Sequence, residues 1–203
     1  MVKSAVELRR GGTQDALAQA AHAGDATAQL RLGVRYHQGV GVTQDYALAA
    51  LWFERAAEQG LADAQFNLGL MCHHAQGLPL DYVQAAVWYH RAAEQGHADA
   101  QVNLAAMRSC GEGVSQYDAE AARLCTLAAQ KGNAGAQFNI GLMYANGKGV
   151  LANQVRAHMW LSVAISSGFT MALEKRRYIE LDMTDEQLRE ARRLALEWRA
   201  QRP

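Results

Sequence analysis

Residues 25–60 read DATAQLRLGVRYHQGVGVTQDYALAALWFERAAEQG, and residues 61–96 read LADAQFNLGLMCHHAQGLPLDYVQAAVWYHRAAEQG. Laid one over the other, the strings share Ala-Gln, Leu-Gly, a later Asp, Trp, a pair of alanines and a closing Gly. The period continues: Gly24, Gly60, Gly96, Gly132 and Gly168 are evenly spaced, as are Ala28, Ala64, Ala100, Ala136 and Ala172, with Gln29, Gln65, Gln101 and Gln137 beside them. Self-similarity at a fixed period of this size is the signature of a stacked-repeat architecture. It divides the chain into four units, residues 25–60, 61–96, 97–132 and 133–168. Residues 1–24 are left as an N-terminal partial repeat or cap and 169–203 as C-terminal capping helices, in one continuous domain.

Each unit splits into two helical segments. Ala28, Leu32 and Tyr36 stand at i, i+4 and i+8, one face of a first helix. That helix ends in Gly39-Val40-Gly41-Val42, repeated as Gly111-Glu112-Gly113-Val114 and Gly147-Lys148-Gly149-Val150, where glycine supplies the positive φ that turns a chain out of a helix. The second unit reads Ala75-Gln76-Gly77-Leu78, with Pro79 preventing continuation. Asp45, Asp81 and Asn153 then offer side-chain oxygens to the first amides of a second helix. The third unit has Tyr117 there, and Asp118 is the expected substitute. Ala49, Trp52 and Ala56 make the buried stripe of this second helix. Trp52, Trp88 and Trp160 are therefore read as core rather than as a base-stacking platform.

These residues resemble the Sel1-like repeat family, whose motif is an Ala-x-x-x-Leu-Gly-x-x-Tyr helix, a Gly-x-Gly-Val turn and an Ala-x-x-Trp-Tyr/Phe/Leu-x-x-Ala-Ala helix, the Trp pair being Trp52-Phe53 in the first unit and Trp160-Leu161 in the fourth. The first unit supplies Ala28, Leu32-Gly33, Tyr36, Gly39, Gly41-Val42, Ala49, Trp52 and Ala56-Ala57, and the fourth supplies Ala136, Ile140-Gly141, Tyr144, Gly147, Gly149-Val150, Ala157, Trp160 and Ala164. The second departs at Cys72, and the third departs most, with Ala105, Arg108 and Leu124 at the Gly, Tyr and Trp positions. The resemblance implies an all-α fold, an α/α superhelix (solenoid) of 36-residue helix-turn-helix repeats. Such a stack must cover its ends. Residues 13–24, with Ala20-Ala21 before Gly24, are expected to form the second helix of an incomplete leading repeat. At the other end the motif lapses at Arg176-Arg177. Thr184-Asp185-Glu186-Gln187 then opens a last helix with Leu188, Ala191, Ala195 and Trp198 on one stripe, expected to be the C-terminal cap.

Composition narrows the function classes. The chain has 203 residues, half of them hydrophobic, with 39 alanines and 18 glycines and with 20 basic residues balanced by 20 acidic ones. Zero net charge opposes a nucleic-acid binder that depends on phosphate neutralisation, including an RNA-binding helical repeat. The longest apolar runs are far below membrane-span length, so no membrane insertion is expected. Residues 1–10 contain no apolar core of a secretory signal, which makes the cytoplasm the expected compartment, or the periplasm if a signal has been removed. Cys72, Cys110 and Cys125 are odd in number, lack a C-x-x-C spacing and read as free thiols.

The resemblance places function on the surface lined by the first helix of each repeat. In the related tetratricopeptide repeats the residue before Leu-Gly faces a groove, and an Asn there holds a peptide backbone. Here that position holds Arg31, Asn67, Asn103 and Asn139, amides able both to donate and to accept. Leu30, Phe66, Val102 and Phe138 run alongside, as do Val34, Leu70, Ala106 and Leu142, offering shallow apolar pockets. His73 and His74 sit at the edge. His37 and His73 are equivalent positions of adjacent units, too far apart for ligands that must converge on one zinc ion, so no metal and no cofactor is expected. The Gly-x-Gly turns follow no strand and lack the Gly-Lys-Ser/Thr ending of a phosphate loop. The expectation is a non-enzymatic adaptor that binds a protein or peptide. A β-lactam-binding or hydrolysing role, known among cysteine-rich members, is the alternative. It is opposed by the absence of cysteine pairs at the repeat junctions and of a Ser-x-x-Lys motif.

Overall fold

The computed structural model describes residues 16–201, and all regular structure among them is helical. Helix α1 is described over residues 16–22; residues 13–15 of the expected leading helix lie outside the described residues. There follow α2 (Ala26–Gln38), α3 (Tyr46–Glu58), α4 (Ala62–His74), α5 (Tyr82–Glu94), α6 (Ala98–Cys110), α7 (Asp118–Gln130), α8 (Ala134–Asn146), α9 (Gln154–Ser166), α10 (Ala172–Glu180) and α11 (Asp185–Ala200). The eight helices of the repeats, α2 to α9, are 13 residues long each. The uniform length follows from the capping chemistry recurring at a fixed spacing. Asp45, Asp81 and Asn153 each accept the amide of the third residue into the helix, that of Leu48, Gln84 and Arg156, at 2.9 Å. At the other end Gly39, Gly111 and Gly147 adopt φ of 68 to 76°, the left-handed conformation that closes a helix, and each donates its amide N–H to the carbonyl four residues back. Ala75 takes the same place with φ 54°, a strained choice for a residue carrying a Cβ. A backbone bond then ties each turn shut: the amides of Asp45, Asp81, Tyr117 and Asn153 donate to the carbonyls of Tyr36, Cys72, Arg108 and Tyr144.

One expectation changes here, and another holds in two of three places. Asp118 does not cap α7: Tyr117 holds the cap position without a side-chain bond, and the Asp118 carboxylate lies 3.4 Å from Lys148 Nζ instead. Trp52 and Trp160 are buried, as expected of core residues. Trp88 is only half-buried, with the Arg91 guanidinium 4.5 Å from its ring centre, whereas the next residue, Phe53, Tyr89 or Leu161, is at most 1% exposed.

The helices form two compact units, one ending at Gln95 and the other starting at Gly96. In the first, α2 packs on α3, α3 on α4 and α4 on α5. Its core joins Ala49, Ala56, Phe53, Leu68 and Met71, and a second cluster seats Ala21 of α1 against Ala28, Leu32 and Trp52. In the second unit α6 to α9 pack successively, and both α10 and α11 lie on α9. Trp198 of α11 meets Trp160 edge to face at 5.7 Å, and the capping box at Thr184 and Gln187 starts α11 as the sequence indicates. Small alanines line these contacts, many of them below 1% exposed, because helix axes that approach closely leave no room for larger side chains.

Candidate functional site

The first helices carry the candidate residues. Arg31 is exposed, and Asn67, Asn103 and Asn139 are half-buried. The Asn67 amide donates to the Asp63 carbonyl one turn back at 2.7 Å, leaving its oxygen for another donor. Leu30, Phe66 and Phe138 are half-buried and serve packing. Leu30 lies on the core of the first unit, Phe66 stands 6.0 Å from the Tyr89 ring, and Phe138 stands 5.0 Å from Phe169. Leu70 and Leu142 are half-buried and Ala106 is exposed. His73 sits edge to face against Tyr82 at 5.2 Å, matching His37 against Tyr46 at 5.2 Å, while His74 is exposed. The histidines thus pack on the tyrosine that opens each second helix. No group of three metal-ligating side chains converges among the described residues.

A cavity of about 340 Å3 opens between α6 and α8 in the second unit, with Asn139 and Leu142 in its wall. The third repeat creates it by being small at three lining positions. Ala106 stands where the other repeats have Val34, Leu70 and Leu142, and Cys125 where they have Phe53, Tyr89 and Leu161; Ser109 is smaller than His37 and His73 of the first two repeats, though not than Ala145 of the fourth. The two halves of the third repeat compensate each other. A Cβ on Gly33 or Gly69 would lie 2.7 Å from the ring of Phe53 or Tyr89, so those repeats need glycine, whereas Cys125 leaves room for Ala105. Asn139, Asn146 and Ser109 supply polar groups around walls formed by Ala105, Leu142 and Met143. Lys148 reaches in from the turn, with Nζ donating to the Ser109 carbonyl at 3.3 Å and lying beside Asp118. Burial pushes the Cys125 thiol up to about 11, which keeps it protonated and a poor nucleophile at neutral pH. The exposed Cys110 shares the cavity. The site therefore offers donors, acceptors and an apolar floor.

The recurring glutamines have a role that their spacing alone does not disclose. Gln29, Gln65 and Gln137 are 0 to 5% exposed. Each donates its amide to a carbonyl near the end of the preceding helix, that of Ala21, Ala57 or Ala129, at 3.1 to 3.3 Å. Gln59 and Gln95 in turn donate to the side-chain oxygens of Gln29 and Gln65 at 2.8 Å.

Four consecutive segments, residues 26–61, 62–97, 98–133 and 134–169, match the Sel1 repeat. The chain belongs to the Sel1 repeat family. Sel1 repeat proteins are generally protein-protein interaction modules and non-catalytic scaffolds. Two solved structures are similar over most of the chain. One is a protective antigen present in uropathogenic Escherichia coli strains and displaying an SLR fold, at 41% identity and a TM-score of 0.79, covering 81% of this chain and 35% of that one. The other is a Sel1 repeat protein from Oxalobacter formigenes, at 36% identity and a TM-score of 0.70, covering 73% of this chain and 61% of that one. This chain thus spans about a third of the antigen and less than two thirds of the second protein. No curated protein matches it. The Sel1 helix pairs of this chain are those of an all-α solenoid, and no described helix is long and apolar enough to cross a membrane.

Proposed function

We propose that this Sel1 repeat chain is a non-enzymatic adaptor that takes an extended segment of a partner protein on the first-helix face, with its anchoring contact in the cavity between α6 and α8. The observation that carries this reading is the cavity itself, opened where the third repeat departs from its neighbours. Asn139 at its wall has an amide suited to a partner's peptide group, and the walls below suit one apolar side chain. In the first unit, Arg31, Leu30 and Val34 border a depression of about 450 Å3 that likewise combines a basic residue with apolar ones. Zero net charge supports a selectivity carried by amides and shape rather than by long-range attraction.

The experiment begins with affinity purification and mass spectrometry to name a partner, followed by titration of the purified pair. Ala106→Leu fills the cavity with the residue that the second and fourth repeats already carry there, so the fold is kept. We expect at least a tenfold loss of affinity for Ala106→Leu and for Asn67→Ala/Asn103→Ala/Asn139→Ala, and none for Glu54→Lys on an exposed second-helix surface. Affinity unchanged in both first-helix variants would remove this face from the function.

A further inference from the structure

A second cavity, of about 410 Å3, lies away from the first-helix face, among α9, α10 and α11. It forms where the repeat pattern is replaced by polar residues at positions that are core elsewhere. His158 is in register with Ala50, Ala86 and Ala122, all buried, and is itself 1% exposed. Arg176 is in register with Leu32, Leu68, Leu104 and Ile140, the apolar centre of every first helix. Glu180, in register with Tyr36 and Tyr144, joins the two: its Oε1 accepts from His158 Nε2 at 2.8 Å and lies 3.3 Å from Arg176 Nε. Since a carboxylate only accepts, Nε2 carries the ring proton and Nδ1 is left to face the Ser162 hydroxyl at 3.4 Å. Replacing apolar core by such a network costs desolvation that simple capping of a helical stack does not require.

The cavity's charge is one-sided. Arg176, Arg192 and Arg199 line it against the single carboxylate of Glu180. Arg192 and Arg199 stand two turns apart on one face of α11, and neither makes a hydrogen bond or ion pair among the described residues. Arg193, one position along, is by contrast held by Glu190 and Glu197, so those carboxylates of α11 are engaged away from the cavity. Ile165, Ala195 and the exposed Leu196 supply apolar wall to the same cavity.

We infer that this cavity binds a small organic carboxylate, with its anionic group on Arg192 and Arg199 and its apolar body against Ile165, Ala195 and Leu196. Guanidinium forks match carboxylate geometry, the volume falls within the roughly 300–1,000 Å3 of small-molecule sites, and the His158–Glu180–Arg176 network holds the floor of the cavity in place.

The test is isothermal titration and thermal melting of the full chain with octanoate, with octylamine and sulfate as comparison ligands. Saturable octanoate binding with a raised Tm is expected, with neither effect from octylamine or sulfate. Arg192→Gln/Arg199→Gln should weaken octanoate binding about tenfold or more, and Arg189→Gln, exposed on the same helix but outside the cavity, should leave it unchanged. Both cavity arginines are exposed, so the double variant is expected to fold; if its circular dichroism shows otherwise, Arg199→Gln alone replaces it. Equal binding of octylamine or sulfate, wild-type affinity in the arginine variant, or no saturable octanoate binding at millimolar concentration would each overturn the inference.

Discussion

Gly33, Gly69 and Gly141 are conditioned by a single side chain each. A Cβ at these positions would come 2.7, 2.7 and 2.9 Å from Phe53, Tyr89 and Leu161, closer than carbon atoms pack, and each of those residues is buried. Gly33→Ala should therefore destabilise the protein by about 1–3 kcal/mol, the usual cost of overpacking a filled core, as read by urea denaturation. Gly33→Ala/Phe53→Cys recreates the Ala105 and Cys125 pairing of the third repeat. It should recover part of that strain, leaving the double variant more stable than the sum of the two single changes predicts; additivity within error would contradict the compensation. The second glycine of the turn has a different constraint. At Gly149 a Cβ would fall 2.0 Å from the Asp118 carbonyl oxygen, because the turn lies directly on the start of α7.

At the scale of the element, the junctions α1–α2, α3–α4 and α7–α8 are each fastened by a buried glutamine, and the fastening is weaker at the last of them. Gln59 and Gln95 satisfy the side-chain oxygens of Gln29 and Gln65. The equivalent residue for Gln137 is Ser167, too short to reach, and the Gln137 oxygen is left buried without a partner. Ser167 has φ −87° and ψ 9°, close to the −79° and 2° of Gln59, so the backbone is already suited to the longer residue. Ser167→Gln should raise stability by about 1 kcal/mol, the typical net value of a hydrogen bond that satisfies a buried acceptor. The same change with Gln137→Leu in the background should give no such gain, and a gain in that background would assign the effect to something other than the pair.

For the molecule as a whole, the polar network beneath α10 and α11 gives stability a pH dependence. Burial lowers the His158 pKa from the ordinary 6.5, against the opposing pull of Glu180; Arg176 and Arg192 lower it further. The unfolded chain therefore takes up this proton at higher pH than the native one does. The contribution of neutral His158 is complete above about 6.5 and is lost as pH falls from there through the lower native value. His158→Ala, the residue found at 50, 86 and 122, should flatten the pH dependence of stability between pH 7.5 and 5.5 relative to wild type in chemical denaturation. Parallel profiles for the two proteins would show that His158 does not control it.

The repeat length, the division of each repeat into two helices, the caps at Asp45, Asp81 and Asn153 and the terminal capping box are legible in the order of residues, because turn chemistry and helix periodicity act over a few positions. The equivalence of Arg31 and Asn67 in the first unit, and of Asn103 and Asn139 in the second, as the same position of their first helices follows from the same period. What the sequence could not decide was set by contacts between residues 20 to 40 apart. The depth of Phe53, Tyr89 and Leu161 beneath the more conspicuous tryptophans depends on which glycine faces them. The move of Asp118 from helix cap to partner of Lys148 depends on a turn 30 residues later. The two cavities arise where small or charged residues at separated positions meet across packed helices. Local propensity fixed the Sel1 repeat; complementarity of volume and charge between packed helices, which exists only once they are stacked, decided where the two cavities lie.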